Sequence, residues 1–393
     1  MTTRTPRLLA LLLVAAGCGG DPSSPPKSGR SETMLVASPT VEVVMSNLNS
    51  PRGLAWGPEG GLYVVEAGLD SATSLCAPVA RGQNCYSGSG SISRVVRGHQ
   101  ERVVTALPSV FNAATSDITG PHDIAFSRDG RAFLSIGWGG DPAARASLGE
   151  LGRDFGTLIA LRPTGREGRD DRRDSEEGED DDREHARPGW RIIADVAAFE
   201  AAHNPAGGTI DSNPYGLFME GRRLFVTDAG GNSLLSVRRG VVSLVATFPA
   251  VPVPPGPFNP PFTQSQAVPT EVARGPDGAL YVSTLTGVPF LPGVASIFRV
   301  APGETPTIYA TGFTQVTDFS FGHDGTLYVL QYASGPFFSG NGSVIRVATD
   351  GTRTTLTSAL SHPTGIAVGK DGRIYVSNNG NLARVGEVVR ITP

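Results

Sequence analysis

Charge is scarce in this sequence. Only 18% of its 393 residues are Asp, Glu, Lys or Arg, and the formal net charge is −4. A nucleic-acid surface would be strongly basic, so that class of partner is excluded. Beyond the N-terminal leader, no apolar run is long enough to span a bilayer as a helix. No Ser lies in a Gly-x-Ser-x-Gly context, and neither a phosphate-binding loop nor a dinucleotide fingerprint occurs. No pair among the six His has metal-ligand spacing, and no EF-hand spacing is present. Cysteine is also rare, with three in the chain.

Glycine (50) and proline (31) are abundant. Together with low charge, that composition fits many short strands joined by turns. At the N-terminus, Arg4 and Arg7 precede the apolar stretch Leu8–Ala16, which ends at Ala15-Ala16-Gly17-Cys18. The stretch is too short to span a membrane and has the length of a signal core. Small residues before Cys18 resemble a bacterial lipobox. Residues 1–18 therefore read as a lipoprotein signal peptide with Cys18 lipidated, and 19–39 as a flexible tether. Residues 40–393 form the folded part. This places the chain on the bacterial cell envelope, lipid-anchored and facing periplasm or exterior. Cys76 and Cys85 lie in one loop of an exported chain and read as a local disulfide.

One pattern recurs six times. A Pro (Val316 in the fifth copy) starts a short apolar run, an acidic-Gly pair follows, and then comes a run centred on an aromatic and Val. The copies begin at Pro51, Pro121, Pro214, Pro269, Val316 and Pro363. Acidic-Gly pairs between apolar runs mark hairpins, because the favoured turns need positive φ. A third, alternating run follows in every copy, and a fourth run in the copies before the last. Four strands per unit and six units predict an all-β six-bladed propeller. The last unit lacks a fourth strand. The N-terminal run Val41-Glu42-Val43-Val44 is expected to supply it and close the ring.

Antiparallel strand order puts most insertions on one face: the Cys76–Cys85 loop, Trp138-Gly139-Gly140, Glu200–Ser212 and Pro249–Ala267. Long loops on a rigid scaffold commonly carry function. The residues after each starting position are expected to ring the channel mouth there: Arg52, His122 with Asp123, Tyr215, Thr270 with Glu271, Thr317 with Asp318, and Thr364. The run Arg166–Arg187 maps to the opposite face. With 11 Asp/Glu and almost no apolar residue, it reads as disordered.

Asp123, Glu271 and Asp318 come from three blades, and Asp228 with Asn232 ends a second strand on the same face. Such oxygen ligands suit Ca²⁺ or Mg²⁺. A metal there would activate water, with His122 as general base. The same groups also serve as strand-end hydrogen-bonding residues in many channels.

Pro-Arg-Gly-Leu-Ala at 51–55, Asp-Ser-Asn-Pro-Tyr-Gly at 211–216, Thr-Asp-Ala-Gly-Gly-Asn at 227–232, Gly-Pro-Asp-Gly-Ala-Leu-Tyr-Val at 275–282 and Leu-Thr-Gly-Val-Pro-Phe at 285–290 resemble the ScyD/ScyE family. That resemblance covers residues 40–393 and implies an exported propeller without an agreed activity. More distantly, the repeat is similar to NHL-type and gluconolactonase-like propellers. The latter hold a divalent cation on the channel axis, with Asn after the Pro where this chain has Arg52, His122, Tyr215 and Thr270. Two functions are expected. The first is a binding or accessory module taking a small molecule, glycan or envelope protein on the loop-rich face. The alternative is a divalent-metal-dependent lactonase or esterase at the channel mouth. A quinone-cofactor dehydrogenase has no distinctive residue support.

Overall fold

The structure, a computed structural model, describes residues 39–162, 189–255 and 263–393. The expected leader with Cys18, the expected tether up to residue 38 and the run Arg166–Arg187 lie outside the described residues.

Six four-stranded antiparallel sheets follow the six sequence units. Blade 1 comprises Pro51–Trp56, Leu62–Glu66, Gly90–Val96 and His99–Leu107, and blade 2 comprises Pro121–Phe126, Ala132–Ile136, Thr157–Leu161 and Trp190–Asp195. Blades 3, 4 and 5 start at Pro214–Glu220, Pro269–Arg274 and Val316–Phe321. Blade 6 holds Gly365–Val368, Ile374–Asn378 and Gly386–Thr392, and its fourth strand is Thr40–Leu48 from the other end of the chain. Val41 pairs with Ile391 and Val43 with Val389. The ring is therefore closed by strand pairing rather than left with an open edge.

The innermost strands touch in an unbroken circuit, blade 1 to blade 2 and onward until blade 6 returns to blade 1. Each of the six junctions contains its own apolar cluster. Between blades 1 and 2, for instance, Ile92 and Val65 meet Leu134, Ile136 and Ile159. This packing explains the unbroken apolar second strands. A strand lying between two neighbouring sheets is buried on both faces, as Leu62–Glu66 is along its full length. Outer strands face water and alternate loosely, as in Thr40–Leu48. The acidic-Gly turns are self-capped: Asp277, Asp324 and Asp371 accept from the backbone N–H two residues on, and the following glycines have φ near +80°, with Gly278 at 78°.

What the sequence suggests as the Cys76–Cys85 loop is part of a small sheet. Cys76–Val79, Gly82–Tyr86, Val110–Asn112 and Asp117–Thr119 pair as four strands. Cys76 and Cys85 face each other in it and are joined by a disulfide. Beside this sheet lies the 3-10 stretch Pro142–Asp154, and against that stretch the helix Val196–His203, capped by the Asp195 carboxylate. Buried Trp138 ties these parts together: its carbonyl accepts from Asn84, its N–H donates to Asn213, and its indole donates to the Asp141 carbonyl.

Candidate functional site

Each blade's first strand enters the channel from the loop-rich face and runs toward the acidic-Gly turns. The residue after the starting position is hydrogen-bonded to a neighbouring blade in five of the six blades, Tyr215 being the exception. Thr270 Oγ1 donates to the Val316 carbonyl at 2.9 Å, Thr317 Oγ1 to Pro363 at 3.1 Å, and Thr364 Oγ1 to Pro51 at 2.6 Å. His122 Nδ1 does the same to the Pro214 carbonyl at 3.0 Å. Second-strand hydroxyls add a parallel set: Ser135 to the Tyr215 carbonyl, Thr227 to Thr270 and Ser377 to Arg52. The expected mouth ring is thus largely a girdle of blade-to-blade hydrogen bonds. Arg52 belongs to it too, donating to the carbonyls of Gly380 and Ile118 and so fixing the small sheet across blades 6 and 1.

One position deeper, the six blades carry Gly53, Asp123, Gly216, Glu271, Asp318 and Gly365. Glycine and carboxylate are complementary here. A side chain at Gly53 would collide with the Asp123 carboxylate, and a Cβ at Gly216 would lie 2.7 Å from Glu271 Oε2. The acid of one blade fills the space its neighbour's glycine leaves. Asp123 Oδ2 then accepts from Leu217 N–H at 2.8 Å in blade 3. Asp318 Oδ2 accepts from Ile366 N–H at 2.7 Å in blade 6, and Oδ1 from its neighbour Phe319. Glu271 accepts from Val272 N–H.

Burial pushes the Asp123 carboxyl up to about 7, against the pull of its backbone N–H partners. Burial, then repulsion from Asp123, raises Asp318; Glu271 rises for the same causes with Asp318 added. Burial lifts the Tyr215 hydroxyl to about 12. These carboxylates sit at the closed end of a funnel of about 310 Å³ that opens toward the acidic-Gly turns, with walls reaching Trp56, Phe126, Met219 and Val368. Arg52, His122, Tyr215 and the three threonines are not among its lining residues.

The geometry bears on two expectations. First, Asp123, Glu271 and Asp318 do not fit a shared divalent cation. Among the described residues no three His, Cys, Asp or Glu side chains are grouped to hold an ion, and backbone amides occupy both Asp318 oxygens, Asp123 Oδ2 and Glu271 Oε1. Second, His122 is a weak base in this setting, with Nδ1 engaged and only Nε2 left to take a proton. A carbonyl only accepts, so Nδ1 carries the hydrogen. Burial, then the Arg52 charge, pushes its conjugate acid down to about 3. At neutral pH it is an uncharged ring packed against Tyr215 with centroids 4.6 Å apart. Asp228 and Asn232 are equally engaged. Asp228 accepts from Ser212, Asn213 N–H and Gly231 N–H, while Asn232 bridges Gly230 and Val268.

The loop face carries a feature that sequence reading missed. Phe290, Tyr332, Phe338 and His362, from blades 4 to 6, form a contiguous aromatic shelf: Phe290 to Phe338 at 4.2 Å, Tyr332 to Phe338 at 5.4 Å and Tyr332 to His362 at 4.9 Å. Gln315 braces it by donating to the Phe290 and Gly335 carbonyls. Phe337 projects beside it and is 54% exposed. Phe337 and Phe338 are both held at positive φ, 52° and 62°, a conformation costly for bulky side chains. The only sequence signal was the pair of adjacent Phe in a Gly- and Ser-rich loop.

A model of the NHL repeat matches residues 360–382, which fall on blade 6. No curated protein matches the chain. Among solved structures, a protein of unknown function from Bacteroides thetaiotaomicron is 9% identical, over 90% of this chain and 76% of its own, with a TM-score of 0.50. A catalytically inactive virginiamycin B lyase from Staphylococcus aureus with quinupristin is 12% identical, covering 91% and 100%, with a TM-score of 0.47. A gluconolactonase from Xanthomonas campestris is 11% identical, covering 89% and 88%, at 0.46. The likeness is one of fold.

Proposed function

We propose that the chain is a binding module of the cell envelope, tethered by a lipid on Cys18, that holds a small ring compound or glycan on its loop face. The observation that carries this reading is the aromatic shelf of Phe290, Tyr332, Phe338 and His362 with Phe337 exposed on strained backbone. Flat aromatic faces take ring-shaped ligands at low entropic cost. Most of the channel polar groups support the same reading from the other side, because they are engaged in hydrogen bonds between blades. The ScyD/ScyE resemblance of the segments from 51–55 to 285–290 agrees with an exported propeller in this role.

A panel of sugars and small aromatic compounds, followed by saturation-transfer NMR, tests it. Ligands should lose binding in Phe337→Ala and Tyr332→Ala variants that keep the parent's circular dichroism. Turnover of a lactone or ester that disappears in Asp123→Ala would overturn it in favour of a hydrolase working at the channel.

A further inference from the structure

On the turn face, the junction of blades 2 and 3 opens into a groove of about 860 Å³. Among the described residues its rim carries Arg128, Arg131, Arg191, Arg222 and Arg239 against one acid, Asp129. Asp129 pairs with Arg131 at 3.1 Å. The other four guanidinia have no ion pair among the described residues, although the chain as a whole is acidic. The floor is apolar: Phe133, Ile192, Ile193 and Met219 are half-buried, and Leu224 and Val237 are buried.

The next groove, between blades 3 and 4, is as large, about 950 Å³. There Arg274 is bound to Glu220, leaving Arg223 and Arg238 as the other rim arginines among the described residues. Grooves of this size therefore come with the architecture, whereas the unpaired arginine rim does not. Guanidinium forks match phosphate oxygens bidentately, and a cavity of this volume is in the range that encloses a small ligand. We infer that the groove between blades 2 and 3 binds a single-chain amphiphile with a phosphate head, its head on the arginine rim and its tail on the apolar floor. The chain's own acidic run Arg166–Arg187 offers charge to such a rim but almost no apolar residue to the floor.

The test uses the full chain with Cys18→Ser, so that no acyl chain of its own competes, and with methyl-labelled methionine. Met219 lies in the floor, and Met45, buried at the junction of blades 6 and 1, is the internal reference. Decyl phosphate below its micelle concentration should move the Met219 methyl resonance and leave Met45 still. Arg222→Glu with Arg239→Glu should weaken binding at least about tenfold, and Arg238→Glu, in the neighbouring groove, should not. An unmoved Met219 overturns the inference. So does an equal response to inorganic phosphate or to decyl maltoside, because head or tail alone would then suffice. Binding that appears only after residues 166–187 are deleted also overturns it, and makes that run the resident occupant.

Discussion

Glu66 in blade 1 and Glu200 in the helix over blade 2 are equally removed from water, at 0% and 1% exposed. Their surroundings are opposite. Glu66 is gripped by Arg102 through both oxygens at 3.0 and 2.7 Å, and also accepts from Ser93 Oγ and Asn49 N–H. Glu200 has no such partner: its Oε1 is buried without a hydrogen bond, and its nearest charges are Asp228 and Asp211. A Cβ at Gly231 would touch both Glu200 Oε2 at 2.7 Å and Asp228 Oδ2 at 3.0 Å. Burial, then the Asp228 and Asp211 charges, pushes Glu200 up to about 7. Burial makes a carboxylate costly; the partners decide whether it acts as a brace or as a proton-binding site.

Arg102→Met should produce the largest effect. It leaves Glu66 charged and buried without its counter-ion, and urea denaturation should show a loss of about 3 kcal/mol or more. Adding Glu66→Gln should recover part of that loss; if it recovers nothing, the charge is not what the arginine serves.

Glu200 sharpens the contrast through pH. Its folded pKa is raised, so the folded state holds a proton that the unfolded chain releases near the ordinary glutamate value. That contribution is fully present below about pH 4.5 and is lost as pH rises through about 7. Asp123, raised to about 7, and Asp228, raised to about 6, have the same sign. Stability should therefore fall from pH 5 to pH 8. Glu200→Gln should flatten the slope, changing the gap between variant and parent by roughly 2–3 kcal/mol across that range. Denaturation curves at three pH values that run parallel for the two proteins would refute the account.

Neutral groups come next in size. Thr364→Val removes the hydroxyl that donates to the Pro51 carbonyl across the ring-closing junction, leaving that carbonyl one partner short. A loss of about 1 kcal/mol is expected, with Thr317→Val as the comparison at an internal junction. The smallest effect on stability, within about 0.5 kcal/mol, belongs to Phe337→Ala. Its side chain is largely in water, so a larger loss by calorimetry would make it a packing residue and weaken the shelf as a binding surface.

The ring was legible because each blade repeats a short-range signal: a starting residue, an acidic-Gly turn and an apolar run around an aromatic. The closing strand was legible for the same reason, since blade 6 visibly lacks a fourth run and Val41–Val44 supplies one. The insertions were not. Cys76–Tyr86 pairs with Val110–Thr119, across the last two strands of blade 1, and no local pattern announces pairing at that separation. The shelf was equally hidden, because Phe290, Tyr332, Phe338 and His362 come from three blades.

The channel residues show where the division falls. Sequence placed Asp123, Glu271 and Asp318 at equivalent positions of three blades, since the repeat register alone decides that. It did not reveal that a glycine from the adjacent blade makes room for Asp123 and for Glu271, or that a backbone amide binds one oxygen of each. Nor did it show that His122 faces a carbonyl and stays neutral beside Arg52. By itself, then, the sequence determined the fold, the number of blades and the position of each residue within its blade, because those follow from periodicity along the chain. The use of each polar group was decided only in the tertiary structure, because hydrogen bonds and desolvation depend on which neighbouring blade lies within 3 Å.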